Sequence, residues 1–461
     1  MATQSLTPTK VIIIGAGFSG VTMACTLQMR LGLDDYCIYD RNPGVGGAWH
    51  VNTYPGCAVD IPGFCYHLSF APKPIFSRLY PPQKEILGHL TSVAERFGVS
   101  THFTGSVEWT GCQWDDDALE WIVEMENLVS GQRYTQTCQV LVSCVGGLTN
   151  PRQVTFPGMS NFQGTIMHTA RWDHTVSFSD KRVAVIGNGA SAAQVIPALA
   201  GTPCLITQII RASKLGKVGR DVYEKQSLEH VRNSAPRQYW PALIPKYRFG
   251  CRRRIFDKAY TAALRRPDIR LAYGKIAEIR SSSIILQDGE EIGADILVLA
   301  TGFDLSHYDT RVQGMGGKTR DDHWLERGHK STFKSVGMHG FPNFFFVLGP
   351  NSGRLHTSTL LSIEWHSEYI SRVIKPIIDG EADVVQVKIE SEKTYQEKLL
   401  EALDHTVHDG SCSSNLIDKN TGSNWFVYPW SSFHLWYETK WDTLGDWEYR
   451  AKLKGEGSDP K

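Results

Sequence analysis

The sequence predicts an α/β fold that contains two nucleotide-binding units. Two stretches share one pattern, in which a short apolar run leads into a glycine-rich loop and then into a helix-like segment. The first stretch is "KVIIIGAGFSGVTMACTLQMRLG" and the second is "KRVAVIGNGASAAQVIPALA". A buried parallel strand, a phosphate-binding turn and a helix produce this order of residues in dinucleotide-binding folds. We therefore expect an α/β chain with two Rossmann-like dinucleotide-binding domains.

Length and composition limit the class of protein. A chain of 461 residues is longer than one hydrophobic core usually serves, so more than one domain is expected. Apolar residues make up 41% and charged residues 21%, as in ordinary soluble proteins. Lys plus Arg and Asp plus Glu are equal at 48 each. This balance argues against nucleic-acid and anionic-membrane partners, which attract a basic excess.

Targeting signals and cysteine spacing narrow the class further. The N-terminus "MATQSLTPTK" lacks the pattern of a signal peptide, and no apolar run approaches the roughly 20 residues that a membrane helix needs. The ten cysteines contain no C-x-x-C pair, which argues against zinc ribbons and dithiol redox centres. We therefore expect a cytoplasmic protein without a metal site.

The first glycine loop has the residues that a dinucleotide pyrophosphate requires. Gly15 permits the tight turn, Gly17 lets the backbone approach the phosphates, and Gly20 lets the helix pack closely on the strand. The N-terminus of the following helix favours negative charge. The next predicted strand, "YCIYD", ends in Asp40, where a carboxylate can hydrogen-bond a ribose hydroxyl.

The second glycine loop differs in the residue that follows the next strand. Gly187, Gly189 and Ala192 form G-x-G-x-x-A, and the predicted strand in "CLITQIIRAS" leads to Arg211 rather than to an acid. An arginine pairs with a ribose 2′-phosphate through two hydrogen bonds, whereas an acid would repel it. The second unit is therefore expected to select NADPH, with Arg211 and Ser213 at the phosphate.

Two further motifs resemble a known family. The stretch "RNPGVGGAWHVNTYPGCAVDIP" is similar to the flavin-side motif of Baeyer–Villiger-type class B flavin monooxygenases. The segment "FQGTIMHTARWD" matches the family fingerprint F-x-G-x-x-x-H-x-x-x-W-D at every defined position, through Phe162, Gly164, His168, Trp172 and Asp173. N-hydroxylating and flavin-containing monooxygenases resemble this pattern but tend to lack its Trp-Asp ending. The chain resembles a short family member over roughly residues 10–435.

The resemblance implies an enzyme with FAD, NADPH and O₂. In this family, FAD is reduced by NADPH and forms a C4a-peroxyflavin, which inserts one oxygen atom next to a ketone or aldehyde carbonyl to give an ester or lactone. The implied substrate is a small, apolar, ketone-like molecule, and the implied assembly is a monomer or weak homodimer. Heteroatom oxidation, hydroxylation or epoxidation by the same peroxyflavin is the first alternative. An NADPH-dependent flavin reductase without oxygen transfer ranks lower, and a non-enzymatic flavoprotein sensor ranks lowest.

The resemblance also implies how the domains divide the chain. Residues 1–150 would form the first part of a discontinuous FAD-binding domain, and residues 331–461 its C-terminal part. Residues 151–330 would form the NADPH-binding domain, with a short helical insertion near 214–250 where many relatives have a longer one. His168 would be a residue of the hinge between the domains rather than a proton-transfer catalyst. A helix near "HTSTLLSIEWHSEYI" would point its N-terminus at the flavin pyrimidine.

The expected catalytic group is an arginine. The stretch "GCRRRIFD" is similar to the Gly-x-Lys-Arg segment of the family, which places Arg253 at the catalytic position and Arg252 at the NADP-binding one. Three adjacent arginines leave the register open by one residue, to Arg254, and a solvated basic run is the structural alternative. A permanent cation lowers the pKa of a peroxide and stabilises an oxyanion. Asp60 would pair with Arg253 and orient it.

The candidate cofactor-binding residues lie in both glycine loops, in the flavin-side motif and at the strand ends. They are Gly15, Gly17, Phe18, Ser19, Gly20, Asp40, Arg41, Gly47, Trp49, Tyr54, Asp60, Tyr66, Val107, Gly187, Gly189, Ala190, Ser191, Gln194, Arg211, Ser213 and Arg252.

Overall fold

The structure, a computed structural model, consists mainly of two sheets with helices packed on them. It describes residues 3–210, 221–244, 255, 259–305, 310–354, 357–406, 416–418 and 421–451.

The strands of the described residues are numbered in chain order. They are β1 Gln4–Ser5, β2 Thr9–Ile14, β3 Tyr36–Tyr39, β4 Phe103–Thr104, β5 Val107–Asp115, β6 Glu120–Asn127, β7 Arg133–Ser143, β8 Thr165–His168, β9 Arg182–Ile186, β10 Leu205–Ile210, β11 Ile269–Tyr273, β12 Ile276–Ile279, β13 Ser283–Leu286, β14 Glu291–Gly293, β15 Ile296–Leu299, β16 Arg311–Gln313, β17 Phe344–Phe346, β18 Val384–Val387 and β19 Trp447–Arg450.

The α-helices of the described residues are numbered in the same way. They are α1 Phe18–Leu31, α2 Ala48–Val51, α3 Gln83–Arg96, α4 Ala190–Leu199, α5 Asp221–Ser234, α6 Trp240–Leu243, α7 Tyr260–Ala263, α8 Arg320–Arg327, α9 Thr359–Ile378, α10 Ile389–Asp404 and α11 Ser432–Lys440. Among the described residues, each helix is too short or too polar to span a bilayer.

The first sheet carries the first glycine loop. Its strand order is β16-β5-β6-β7-β2-β3-β4, and β1 and β17 also pair with β7. Strands β2, β7 and β17 are parallel, so they end at one edge of the sheet. Val11 and Ile13 pack in a core with α1 and α9, whereas Ile12 and Ile14 pack in a core on the other face. Burial on both faces explains the continuous apolar run of β2.

The second sheet carries the second glycine loop. Its order is β11-β10-β9-β15-β8, and all of these strands are parallel. Val183 and Val185 pack in one core with α4, whereas Ala184 and Ile186 pack in another core with the antiparallel sheet β12-β13-β14. This strand too is apolar throughout because both of its faces are covered.

The fold class expected from the sequence is confirmed. The first sheet combines strands from β1–β7 with β16 and β17, so its unit is discontinuous in sequence, while β8–β11 and β15 form the second sheet. Helices α5 and α6 lie within the range expected for the helical insertion. Strand β16 returns the chain to the first sheet at Arg311, ahead of the boundary expected at 331. The domain boundaries themselves remain predictions.

Candidate active site

The first glycine loop lies at the carboxyl end of β2. Gly15 has a φ of +103°, and a Cβ there would lie 2.6 Å from the carbonyl oxygen of Cys144, so no other residue fits the turn. Gly17 and Gly47 lie against each other, since a Cβ built on Gly17 would be 3.5 Å from Cα of Gly47. The two glycine clusters of the sequence therefore form one narrow cradle of backbone.

Asp40 supports this cradle. Its carboxylate accepts hydrogen bonds from the backbone N–H of Ala16 at 2.7 Å and from the backbone and side-chain N–H groups of Asn42, both at 2.8 Å. The backbone N–H of Val107 donates to the Asp40 carbonyl at 3.0 Å. An ionised carboxylate offers about four lone-pair positions, so Asp40 can also accept from a ribose hydroxyl.

Three aromatic candidates meet beside the first loop. Trp49 donates from Nε1 to the hydroxyl of Tyr66 at 2.9 Å, and the two rings meet edge to face. Phe18, the first residue of α1, contacts Tyr66 in the same manner. Gln83 donates to the backbone carbonyl of Trp49. Trp49 packs against the cores of both units, so it lies where they meet.

Arg41 contacts the segment that leaves the first sheet. Its Nη2 donates to Thr149 Oγ1 at 3.0 Å and to Asn150 Oδ1. Arg171 donates from Nη1 to the carbonyls of Thr149, at 3.2 Å, and Ala170, at 2.8 Å. Burial, with a smaller effect of the Arg41 charge, lowers the pKa of Arg171. Two guanidinium groups therefore hold the connection between the units.

Helix α9 passes the sheet edge that carries the first loop, because β17 ends at that edge beside β7 and Leu348, two residues later, contacts His366 of α9. Within the described residues, the buried atoms Ser358 Oγ, Ser362 Oγ and His366 Nε2 have no hydrogen-bond partner. Burial lowers the pKa of His366 to about 3, so its ring is neutral, and its Nδ1 accepts from the backbone N–H of Leu348 at 3.3 Å. Leu348 has a φ of +67°, which is uncommon for this residue.

This row of polar side chains was not singled out from the sequence. The signal was present, since Ser358, Ser362 and His366 recur every four residues on one face of an apolar helix. Arg354 was also overlooked. It lies just after the β17 loop, donates to Ser432 Oγ and the Ser431 carbonyl, and stacks on Tyr428.

The second glycine loop lies at the carboxyl end of β9. Gln208 donates from Nε2 to the carbonyl of Gly187 at 2.8 Å, and Tyr260 donates to Gln208 Oε1. Gly189 caps the N-terminus of α4. No described atom lies within 4 Å of a Cβ built on Gly189, so the backbone there is accessible. Ala190 and Ser191 form the first turn of α4, where the N–H groups favour an anion.

The apolar residues and the glycine of the fingerprint segment pack against elements of the second unit. Phe162 is buried between β9, β15 and the small antiparallel sheet. A Cβ on Gly164 would lie 2.2 Å from the carbonyl oxygen of Asp295, so glycine is required for this close approach. Trp172 stacks on Phe178, with ring centroids 5.4 Å apart, in the core that contains α4.

The polar residues of the fingerprint shape the turn after β8. His168 ends β8 and pairs with Leu299 of β15. Its Nδ1 accepts from the backbone N–H of Ala170 at 3.0 Å, and Asp173 accepts from the N–H and hydroxyl of Thr175. Burial lowers the pKa of His168, which disfavours its cationic form. The role of His168 as a hinge residue remains a prediction.

Comparison with known proteins places the chain in a family. A Rossmann-like NAD(P)-binding domain family matches residues 13–80, and a family described as flavin-binding monooxygenase-like matches residues 113–216. A Baeyer–Villiger monooxygenase of Streptomyces coelicolor is 30% identical over 95% of this chain and 92% of its own length. A Baeyer–Villiger monooxygenase of Pseudomonas aeruginosa is 30% identical over 91% of this chain and 87% of its own length. The chain belongs to the Baeyer–Villiger monooxygenase family.

Solved structures agree in fold with this member of the Baeyer–Villiger monooxygenase family. A steroid monooxygenase bound to NADP aligns with a TM-score of 0.84 at 23% identity, over 97% of this chain and 100% of that chain. Cyclohexanone monooxygenase from Rhodococcus sp. Phi1, bound to NADP⁺, aligns with a TM-score of 0.84 at 22% identity, over 98% of this chain and 100% of that chain.

In this member of the Baeyer–Villiger monooxygenase family, two candidate cofactor-binding residues form a direct contact between the first and second units. Tyr54 comes from the flavin-side motif and donates to Oε1 of Gln194 on α4 at 2.9 Å. Gln194 donates from Nε2 to the carbonyl of Ala58 at 2.9 Å. Both residues were expected to bind cofactor, and the structure brings them together at the junction between the units. Asp60 follows in the same segment and is partly exposed.

The candidate arginines beyond β10, together with Ser213, belong to parts of the chain that the structure does not describe. Arg211, Ser213, Arg252 and Arg253 lie outside the described residues, as does the alternative Arg254. Their roles in NADPH binding and catalysis therefore remain predictions from the sequence. Among the described residues, no group of His, Cys, Asp and Glu side chains could hold a metal ion.

Proposed function

We propose that this protein catalyses Baeyer–Villiger oxidation with FAD, NADPH and O₂. One oxygen atom of O₂ is inserted beside the carbonyl of an apolar ketone or aldehyde, and the product is an ester or lactone. The observation that carries the proposal is the complete fingerprint from Phe162 to Asp173, which lies between two dinucleotide loops in a chain of this family. We further propose a cytoplasmic enzyme that is a monomer or weak homodimer and binds no nucleic acid.

The first site fits FAD. A Cβ on Gly47 would lie 2.9 Å from Cα of Gly17, so glycine keeps bare backbone on this side of the loop, and Asp40 is proposed to accept from the ribose. Ser358 and Ser362 supply unpaired buried hydroxyls at the start of α9, where the helix dipole favours an electron-rich ring edge. Bound FAD supplies the redox chemistry, because reduced flavin activates O₂.

The second site fits NADPH. The accessible backbone at Gly189 and the first turn of α4 offer N–H donors to a pyrophosphate. Arg211 directly follows β10 in sequence and is proposed to hold the 2′-phosphate.

The residues proposed to act on the substrate are Arg253 and Asp60. Oxygen addition to a carbonyl carbon places negative charge on the carbonyl oxygen, and a fixed cation stabilises that charge. Arg253 suits this role because a guanidinium stays protonated throughout the pH range in which proteins are folded. Asp60 is proposed to orient Arg253 through an ion pair. Asp60 lies six residues beyond Tyr54 in the segment that joins the two units.

The substrate class is best tested by product analysis. Among the structures of the same fold are a cyclohexanone monooxygenase bound to cyclohexanone and a steroid monooxygenase. The purified protein should therefore be incubated with NADPH, labelled O₂ and a panel of cyclic ketones, steroid ketones, sulfides and amines. We expect esters or lactones that carry one labelled atom.

The same panel separates the alternatives. Labelled sulfoxides or N-oxides with unchanged ketones would assign heteroatom oxidation instead. NADPH consumption without any oxygenated product on the whole panel would indicate a flavin reductase.

A further inference from the structure

Gln194 uses both ends of its amide to connect the two units. Its Oε1 accepts from the hydroxyl of Tyr54 at 2.9 Å, and its Nε2 donates to the carbonyl of Ala58 at 2.9 Å. Gln194 belongs to α4 of the second unit, and both partners belong to the flavin-side segment of the first. One side chain therefore forms hydrogen bonds to two residues of that segment, which are four positions apart.

The backbone of the flavin-side segment also approaches α4 closely at this junction. Gly56 has a φ of +81°, and a Cβ there would lie 2.4 Å from the carbonyl oxygen of Gln194 and 3.0 Å from Cβ of Ala198. Gln194 and Ala198 are one helical turn apart, so the tip of the segment sits in the groove between successive turns of α4. Close packing of this kind transmits small displacements instead of absorbing them.

The junction is also buried. Tyr54 is 7% exposed and Cys57 is 9% exposed, and both pack in the core of the second unit with Val195 and Trp172. Burial raises the pKa of Tyr54, so its hydroxyl stays protonated and remains a donor to Gln194. A hydrogen bond in such an environment costs free energy when one partner is removed, because the other partner is left buried and unpaired.

Helix α4 connects this junction to the second glycine loop. Its N-terminus follows Gly189, where the pyrophosphate of NADPH is proposed to bind, and Gln194 lies roughly 6 Å further along the helix axis. Beyond the junction, the flavin-side segment continues to Asp60. The segment is held on its other side by hydrogen bonds from Gln83 to Cys57 and from Val59 to Pro81.

We propose that Gln194 is a positioning residue that couples NADP binding at α4 to the placement of Asp60. A shift of α4 moves Tyr54 and Ala58 together, because Gln194 bonds both, and Asp60 follows two residues later. The proposal rests on the proposed function, because that function assigns the second site to NADPH and a role in oxygen transfer to Asp60.

The first test measures the coupling without catalysis. Hydrogen–deuterium exchange of the FAD-loaded protein is followed with and without NADP⁺. In the wild-type protein, NADP⁺ should slow exchange both in residues 190–199 and in residues 54–60. In Gln194→Leu, the protection of 190–199 should remain and that of 54–60 should be lost. Unchanged protection of 54–60 in Gln194→Leu, or its absence in the wild-type protein, would overturn the proposal.

A matched control is available within the first unit. Gln136 is a buried glutamine whose Oε1 accepts from the hydroxyl of Tyr39 at 2.8 Å and whose Nε2 donates to the carbonyl of Thr7 at 2.7 Å. Gln136→Leu removes the same two kinds of bond without touching the junction. This variant should lose stability to a similar degree while keeping the NADP⁺-dependent protection of 54–60. Loss of that protection in Gln136→Leu as well would mean that general destabilisation, not coupling, explains the result.

The second test measures oxygen transfer. In Gln194→Leu, the fraction of NADPH that yields oxygenated product should fall about five- to tenfold, while KM for NADPH changes much less. Tyr54→Phe should have a smaller effect, because it removes only one of the two hydrogen bonds of Gln194. The double variant should match Gln194→Leu, because both substitutions remove the same bond between Tyr54 and Gln194. A rise in KM with unchanged product yield would overturn the positioning role. If the wild-type protein oxygenates no substrate, the proposed function fails, while the exchange experiment still decides the coupling.

Discussion

At the residue scale, the two sites differ in the charge that follows the second strand of each unit. Asp40 follows β3 and accepts one hydrogen bond from Ala16 in the first glycine loop, so it is expected to favour a free ribose hydroxyl. Arg211 follows β10 in sequence and is expected to favour a phosphate. We therefore expect the same βαβ pattern to select different nucleotides through the residue that follows its second strand.

Cofactor choice can be tested by replacing Arg211 with alanine. The loss of a bidentate pair with the 2′-phosphate should weaken NADPH binding by about 1.5–3 kcal/mol, which is roughly a tenfold or larger rise in KM. KM for NADH should hardly change, because NADH lacks the phosphate. Steady-state kinetics with both coenzymes measure the difference. Arg280→Ala, an exposed arginine of the same unit, serves as the control. An equal loss with both coenzymes would contradict the role of Arg211.

At the element scale, an ion pair joins β9 and β15 of the second sheet at their amino ends. Arg182 begins β9, and Asp295 immediately precedes β15. The carboxylate of Asp295 accepts from the backbone N–H of Arg182 at 2.8 Å, from Nε at 3.1 Å and from Nη2 at 2.6 Å. Gly164, which immediately precedes β8, closely approaches the Asp295 carbonyl. The amino ends of β8, β9 and β15 therefore meet at one corner of the sheet.

This pair predicts a pH-dependent contribution to stability. Hydrogen bonds from Arg182 lower the pKa of Asp295 to about 2, below the value of about 3.9 expected for the unfolded chain. A lowered folded pKa stabilises the fold above the unfolded pKa, and the effect disappears as pH falls through 4 towards about 2. Asp295→Asn should therefore destabilise the protein by about 1 kcal/mol at pH 7, after allowance for solvent screening of this partly exposed pair.

Urea denaturation of the wild-type protein and Asp295→Asn at pH 7 and pH 3 measures this contribution. The difference between the urea midpoints of the wild-type protein and Asp295→Asn should be smaller at pH 3 than at pH 7. Glu278→Gln, which removes an exposed partner of Arg280, is a control with little expected effect. A gap that stays constant or widens towards low pH would show that the Asp295 charge does not stabilise the corner.

At the scale of the whole molecule, the proposed chemistry needs residues from both units. Asp60 belongs to the flavin-side segment that docks on α4, and Arg253 follows the helical insertion of the second unit in sequence. The proposed pair of Asp60 and Arg253 would form only when the units are correctly placed, so we expect oxygen transfer to be sensitive to their arrangement.

Arg253→Ala should separate flavin reduction from oxygen transfer. FAD should stay bound and NADPH should still be consumed, because neither step needs this cation, whereas oxygenated product should disappear and hydrogen peroxide should form in its place. Arg253→Lys keeps the charge but not the planar geometry, so little product is expected from it. Product and peroxide yields per NADPH measure the outcome. Product formation near the wild-type rate in Arg253→Ala would move the role to Arg252 or Arg254, or would contradict the proposed function.

The sequence by itself determined the two glycine loops, the strands before them and the family. These features are local. Gly15 is required by backbone sterics within one turn, and the apolar runs of β2 and β9 follow from burial on both faces of a sheet. Asp40 could be placed for the same reason, because it directly follows a strand whose neighbour carries the loop.

The tertiary structure alone decided which distant residues meet. Tyr54 and Gln194 are far apart in sequence, and no pattern in either segment indicates their hydrogen bond. The return of β16 to the first sheet depends in the same way on packing. The spacing of the polar row that includes Ser358 and His366 is visible in the sequence. Its position beside the end of β17 is known only from the structure. Such contacts depend on how whole helices and strands pack together, and local sequence patterns do not indicate the distance or orientation between these elements.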